Sequence, residues 1–337
     1  MNTEGSKLPC RLGILGASAI AGPALLDPAR DVPSVTVHAI ANRTLSKAVR
    51  LAETYHIPKI ATHLDELLDM EELDAVYIAL SNELHAEWAI KALDAGKHVL
   101  VEKPIALNPD EADRLRQAKL RNPATRLVEG LMVAHHPWQE ALKSIVESGQ
   151  YGQLHHIRTR ISIPARDRHS GNYRSVKHRG GGVFADLGCY WLQFVQRLAG
   201  LDCTDISAQS DFDGPDGCDW TFQAELGYGS KMKAECLFSY DLPYRASHAL
   251  YFDQTVLLVP DFLRAIKGFF KMKIRHDLPH DRSTVVEFAP MHYYVNQLQA
   301  FTEVISGARA EEYEKALKRV ELQSAILAAA EQGSGCR

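Results

Sequence analysis

The sequence predicts two linked folds. The first is a doubly wound α/β domain on a parallel sheet; the second is an α+β domain on a mostly antiparallel sheet. Three observations predict this. Over roughly the first 125 residues, short apolar runs alternate with amphipathic stretches, the texture of βαβ units. After Asn122-Pro123, strand-like segments follow one another with few helices between them. The first apolar run also ends in a glycine turn that opens into a helical pattern.

Taken in order, residues 11–15 form a strand and 19–26 the first helix. Residues 36–41 are a strand, followed by a helix over 45–55 with Thr44 at its N-cap. A short helix spans 65–68, a strand 75–80, and a helix 86–95 closed by Gly96. Residues 98–101 are a strand, and 109–119 a helix whose proline suits the first turn. Strands joined through helices take right-handed crossovers, so this sheet is parallel. A strand at 126–133 and a helix at 137–148, stopped by Gly149, open the second region. Its strands are expected at 156–163, 207–211, 221–226, 231–238, 248–252 and 283–288. One strongly helical piece covers 183–198, and amphipathic helices cover 293–305 and 311–330. Residues 261–275 form a basic, aromatic insertion, read as a local packing excursion in preference to a membrane-surface or partner helix. The domains are expected as 1–126 and 127–337.

Composition narrows the function. The 337 residues carry 38 Lys+Arg against 42 Asp+Glu, a formal charge of −4. With 46% hydrophobic and 24% charged residues the chain is globular in character, which excludes a fully disordered protein. The mildly acidic balance offers no footprint for nucleic acid or an anionic membrane. No apolar run approaches the roughly 18 residues of a spanning helix. The first residues, MNTEGSKLPC, lack the basic and apolar regions of a signal peptide. A cytoplasmic protein with a small-molecule partner is expected. Six cysteines sit at no metal-ligand spacing and contain no C-x-x-C, so scattered reduced thiols and no metal are expected. His135/His136 and His155/His156 are sequence neighbours, which point to opposite faces of a strand and do not chelate one ion.

The glycine turn reads Gly13-Ile14-Leu15-Gly16-Ala17-Ser18-Ala19-Ile20-Ala21. As G-x-G-x-x-G/A, its positions are Gly16, Ser18 and Ala21. Gly16 allows the tight turn, and Ala21 keeps helix and strand close. Backbone amides at the helix start, around Ser18, Ala19 and Ile20, then face a pyrophosphate. The second strand ends Ala41-Asn42-Arg43-Thr44, without the acid that would bind ribose hydroxyls. A carboxylate there would repel a 2′-phosphate, whereas Arg43 binds one through a charge-assisted fork, with Asn42 and Thr44 adding hydrogen bonds. NADP(H) is favoured over NAD(H).

Val101-Glu102-Lys103-Pro104 ends a parallel strand, the edge where open α/β sheets place ligands. A lysine there, its pKa lowered by burial, can polarise a carbonyl or relay a proton.

Residues 96–107 (GKHVLVEKPIAL), the segment 79–85 (ALSNELH) and residues 180–190 (GGGVFADLGCY) resemble the glucose–fructose oxidoreductase/inositol dehydrogenase family. The similarity also covers 129–137, 148–152 and 296–301, hence most of the chain. The resemblance implies a Rossmann domain joined to an open-faced sheet, with the active site between them. It also implies Lys103 as the catalytic lysine, and Leu80, Ser81, Asn82, His85 and Glu102 lining the cofactor. Asp186 and Tyr190 lie four apart, so on a helix they share a face that Gln193 continues. Where inositol-type members have histidine, this chain has Tyr190. It is similar instead to the branch holding dihydrodiol dehydrogenases, D-xylose dehydrogenases and nucleotide-sugar ketoreductases. A phenol with a pKa near 10 serves as an acid toward an alkoxide, and a nearby ammonium stabilises the phenolate. Arg166, Arg168, His169, Tyr173 and Arg174 precede the glycines. The resemblance brings that loop to nicotinamide and substrate, with Arg168 and Tyr173 as substrate contacts; a solvated loop is the alternative.

The expected function is an NADP(H)-dependent oxidoreductase acting on a carbinol/ketone carbon of a sugar or sugar derivative. Lys103 would orient the oxygen, Tyr190 carry the proton and Asp186 position the site. The alternatives are a non-sugar substrate, such as a dihydrodiol ketone or cyclic imine, and a non-catalytic NADP-binding sensor. A homo-oligomer is expected through the second domain's open sheet face, which would not stay solvated.

Overall fold

Six strands form the first sheet: β1 (Cys10–Leu15), β2 (Val35–Ala41), β3 (Lys59–Ala61), β4 (Ala75–Ile78), β5 (His98–Glu102) and β6 (Leu127–Gly130). The structure, a computed structural model, describes residues 9–165, 172–230 and 232–334. The strand order is β3-β2-β1-β4-β5-β6, and every pairing is parallel. All four residues of β4 are buried, as a parallel sheet covered on both faces requires. The order reverses between β1 and β4, which opens a crevice at their carboxyl ends.

The crossovers run through α1 (Leu45–Tyr55), α2 (Leu64–Leu68), α3 (His85–Asp94) and α4 (Pro109–Arg121). The helix expected over 19–26 is shorter. A wide five-residue turn, Gly22–Leu26, is closed by Asp27 N–H on the Gly22 carbonyl at 2.9 Å, and a 3-10 turn, Pro28–Asp31, follows. Pro23 and Pro28 explain this, since neither donates a backbone hydrogen bond. β3 escaped the sequence reading because it is three residues long with two exposed. The strand expected over 126–133 stops at Gly130, and a 3-10 turn, Met132–His135, takes its place.

Contacts divide the chain into two compact units. The first holds residues up to Ile105, Asp113–Gly130 and Tyr294–Tyr313; the second holds Ala106–Ala112, Leu131–Tyr293 and residues from Glu314 on. A single break after residue 126 therefore does not describe it. The reason lies in α7 (Tyr293–Ser306) and the segment after it. Ser34 Oγ donates to Thr302 at 3.3 Å, Leu127 N–H donates to Glu311 at 2.6 Å, and Lys119 pairs with Glu311 at 3.4 Å.

The second unit carries β7 (Leu154–Ser162), β8 (Asp205–Ser210), β9 (Thr221–Tyr228), β10 (Met232–Ser239), β11 (Arg245–Phe252), β12 (Val256–Val259), β13 (Met272–His276) and β14 (Thr284–Phe288). Their order is β14-β13-β12-β11-β7-β10-β9-β8, antiparallel except where β7 meets β10. The insertion at 261–275 contributes a 3-10 turn, Arg264–Ile266, and then β13, so it extends the sheet and forms no α-helix.

Two helices, α5 (Trp138–Ser148) and α6 (Val183–Leu198), contribute aromatic side chains to the core against this sheet. Phe184 stacks on Phe222 at 4.1 Å, and Trp191 meets Phe238 edge-on at 6.4 Å. The other face presents Arg158, Arg160, Glu225 and Glu235. Among the described residues, no helix is long and apolar enough to cross a membrane, and no cluster could hold a metal ion.

Candidate active site

At the carboxyl edge of the first sheet, β1 ends in a turn that only glycine can make. Gly16 has φ +106°, and a side chain there would stand 2.5 Å from the Ala79 carbonyl oxygen. The turn is tied to its neighbours: Gly16 N–H donates to Ala41 O at 2.8 Å, and Ala79 N–H to Leu15 O at 2.9 Å. Ala17 N–H donates to Asn42 Oδ1 at 3.0 Å, while Asn42 Nδ2 donates to Thr44 O at 2.9 Å. Asn42 thus locks the first βα turn to the second, and Arg43 beside it is exposed. Ser18 buries its hydroxyl oxygen with no hydrogen-bond partner, beside exposed Ala19 and half-buried Ile20. Gly13 lies inside β1, where a side chain would strike Leu67 and Leu73; it serves the packing of α2 and not the turn.

The next wall runs from the end of β4. Leu80 packs over Gly16, Ser81 Oγ donates to Glu83 at 2.8 Å, and Asn82 is buried. His85 is 1% exposed, with Nδ1 2.8 Å from Pro104 O and Nε2 3.2 Å from Leu80 O. Burial pulls its pKa down, so a neutral ring donates to one carbonyl and braces the other segment by contact. His85 shapes this wall through the backbone it holds. Glu102 likewise turns inward, accepting from Tyr77 OH at 2.7 Å, and burial raises its pKa. Ile105 N–H donates to Glu129 at 3.1 Å, and the Lys103-Pro104 bond is cis. Lys103 therefore leaves β5 on a turn gripped by His85 and Glu129.

In the second unit, α6 presents Asp186 and Tyr190. Asp186, in the first turn, is 4% exposed and accepts a fork from Arg174: Nε at 2.8 Å and a terminal nitrogen at 3.2 Å. Tyr240 OH donates to the same carboxylate at 2.9 Å. Desolvation works against the Arg174 charge, but the Asp186 carboxylate and its hydrogen bond outweigh it and raise the Arg174 pKa, so the guanidinium stays charged. Arg174 also lies over the Tyr173 ring at 4.6 Å. Tyr190 is buried, its hydroxyl 3.8 Å from Met132 Sδ. Gln193 does not join that polar face. Its amide exchanges two hydrogen bonds with Gln139, at 2.9 and 2.8 Å.

Arg168, with Arg166 and His169, lies outside the described residues. Sequence reasoning missed Tyr240, which lies 54 positions from Asp186 with no local signal joining them.

Comparison with known proteins decides the family. Residues 10–129 match the oxidoreductase family with an NAD-binding Rossmann fold, GFO_IDH_MocA, and 139–257 match the GFO/IDH/MocA C-terminal domain. The chain belongs to the GFO/IDH/MocA family. An uncharacterized oxidoreductase of Rhizobium meliloti is 34% identical over 238 residues, 70% of each chain. The dTDP-3,4-didehydro-2,6-dideoxy-alpha-D-glucose 3-reductase of Streptomyces violaceoruber is 32% identical over 241 residues, 71% of this chain and 69% of that one. KijD10, a 3-ketoreductase from Actinomadura kijaniata crystallised with NADP and TDP-benzene, superposes with a TM-score of 0.86 at 24% identity. That match covers 96% of this chain and 98% of the other, and it bears on the fold alone. As a GFO/IDH/MocA member the protein has both parts that the resemblance implied: a parallel Rossmann sheet and a mostly antiparallel second sheet.

Proposed function

We propose that this protein is an NADP(H)-dependent oxidoreductase that moves a hydride to or from a carbinol/ketone carbon of a sugar or nucleotide-sugar. One observation carries the reading. The side-chain-free turn at Gly16, the acid-free Asn42-Arg43 corner and Lys103 all stand at the carboxyl edge of one parallel sheet. The chemistry of that edge fits the cofactor: Gly16 lets the turn run tight against the end of β4, and the buried Ser18 hydroxyl, which has no protein partner, is a donor for a phosphate oxygen. Reductases of nucleotide-sugars among the relatives support the substrate class.

When bound, the nicotinamide supplies or accepts the hydride at C4. The chain's own residues do the rest. Arg43, exposed beside Asn42, forks onto the 2′-phosphate that a carboxylate would repel. The Lys103 ammonium donates to the substrate oxygen, polarising a carbonyl as it gains electron density. The Tyr190 phenol gives its proton to that oxygen in reduction and takes one in oxidation. Asp186, clamped by Arg174 and Tyr240, holds the first turn of α6 still and acts as a positioning residue.

The test is a panel of aldoses, nucleotide-linked ketosugars and cyclic imines, followed by NADPH absorbance. Lys103→Ala and Tyr190→Phe should each lower turnover by about 100-fold or more, and Tyr190→Phe should leave NADPH binding intact. Unchanged turnover in both variants would refute the mechanism. Imine reduction alone would move the substrate class. Tight NADPH binding without hydride exchange would favour a sensor.

The reading includes a cytoplasmic homo-oligomer formed through the outward sheet face. That face, expected not to stay solvated, carries charged ladders. Arg158 bonds Glu235 and donates to Tyr251 OH at 2.7 Å, and Lys233 pairs with Glu225 at 2.7 Å. Self-association there would match charged ladders, so light scattering should give a dimer or tetramer that loosens with salt. A monomer at low salt would remove this part of the proposal.

A further inference from the structure

The helix that carries Asp186 and Tyr190 begins without a cap of its own. Its N-cap is Gly182, which has no side chain to offer the first amides. A helix leaves its first four N–H groups without intrahelical partners, and buried ones must be satisfied from elsewhere. Here a single residue, two positions ahead of β9, takes two of them. Val183 N–H donates to the Asp219 carbonyl at 2.9 Å, and Phe184 N–H donates to Asp219 Oδ2 at 2.7 Å. The other carboxylate oxygen occupies the position where a Cβ on Gly182 would stand, and Gly182 has φ +108°. Gly182 is therefore fitted to Asp219. At Gly181 a side chain would instead meet the Val176 carbonyl oxygen at 2.7 Å.

The same short segment grips the helix a second time. Trp220 packs edge-on against Tyr240 at 4.9 Å and accepts Tyr240 N–H at 3.0 Å. Tyr240 in turn donates to Asp186 at 2.9 Å. Asp219 itself is 4% exposed.

We propose that Asp219 is a positioning residue: by capping α6 from outside it sets the depth and rotation at which that helix presents Asp186 and Tyr190. The proposal rests on the reading of Tyr190 as the proton-transfer group. The cap is kept at a cost to the fold. Burial pushes the Asp219 carboxyl up to about 7 from its ordinary 3.8, against the lowering influence of the Phe184 amide and of Lys177. The titratable groups facing it are Lys177 and the Cys218 thiol, which is pushed up to about 11 and stays protonated across the neutral range. A carboxyl whose folded pKa is raised favours the native state most below its unfolded pKa. That contribution is lost as the pH climbs through about 7. An ionisable group that weakens the fold at neutral pH, at the start of this one helix, is what a site-positioning role leaves behind.

The experiment uses the full chain with Asp219→Asn and Asp219→Ala. Hydrogen–deuterium exchange over residues 183–190 and the thermal midpoint between about pH 5 and pH 8.5 are recorded. Asparagine still accepts the Phe184 amide, so Asp219→Asn should keep the parent's protection, whereas Asp219→Ala should lose it tenfold or more in that segment alone. The midpoint of Asp219→Asn relative to the parent should rise with pH up to about 7 and level off above it, because only the parent must ionise the buried carboxyl. Parent-like exchange in Asp219→Ala, or a midpoint difference that is flat with pH, overturns the proposal. If Asp219→Ala does not fold, the pH course of Asp219→Asn decides. Neither measurement needs a substrate, so both stand apart from what Tyr190→Phe does to turnover.

Discussion

At the scale of single residues, the site is built from side chains whose polar atoms are mostly committed. Asn42, His85 and Glu102 were expected to line a cofactor. Asn42 braces two turns, His85 holds two carbonyls, and Glu102 bonds Tyr77. On the proposed reading, exposed Arg43 is then the residue that would choose between nucleotides. Arg43→Asp should weaken NADPH binding by about 10- to 100-fold, the worth of one charge-assisted contact, with NADH binding equal or better; quenching of protein fluorescence measures both. Gly16→Ala should abolish nucleotide binding and destabilise the protein by about 1–3 kcal/mol in urea, since φ +106° and the Ala79 carbonyl leave a Cβ no place. The glycine turn, the missing acid and Lys103 were legible because each depends on its immediate neighbours. The clamp of Arg174 and Tyr240 on Asp186 was not, because its members lie 12 and 54 positions away.

At the scale of elements, α6 shows what periodicity can and cannot give. The expected limits of 183–198 match the observed helix, since a glycine run precedes it and an apolar stripe defines its buried face. Periodicity placed Gln193 on the face of Asp186 and Tyr190, yet the tertiary partner of Gln193 is Gln139 of α5. The two amides satisfy each other in a buried site. Gln193→Leu alone should cost about 1–3 kcal/mol by orphaning Gln139, while Gln139→Leu/Gln193→Leu should recover most of it. Urea denaturation of the double-mutant cycle checks this; additive losses would show that the two amides do not depend on each other. β12 and β13 were missed for a related reason. Four- and five-residue strands beside a basic aromatic run carry too short an alternation to be told from a loop.

At the scale of the whole molecule, buried titrating groups set how stability answers to pH. His248 lies between Phe194 at 3.9 Å and Phe262 at 4.3 Å, and burial pushes it down to about 3. His136 is pushed down to about 4 for the same reason. A histidine with a depressed folded pKa binds its proton more readily when unfolded. Its share of stability is therefore complete above about pH 6.5 and is lost as the pH falls toward the folded value. At about pH 5 each should cost about 2 kcal/mol. Asp219 acts in the opposite sense over the same range, so the readout is a comparison: urea titrations between about pH 6.5 and pH 5 should show His248→Gln losing less unfolding free energy than the parent. The same slope in His248→Gln and the parent would mean that His248 is solvated.

The division of labour between chain and fold follows from the range of the forces involved. Strand and helix succession, the parallel first sheet, the nucleotide turn and the family were determined by local order. Steric limits on glycine and proline, and the 2.0 and 3.6 periods, act within a few residues of their source. Which carboxylates are capped, which amides pair and which ring nitrogens are buried was decided only by tertiary packing. A buried polar group must find its partner wherever the close-packed interior brings one, at any separation along the chain.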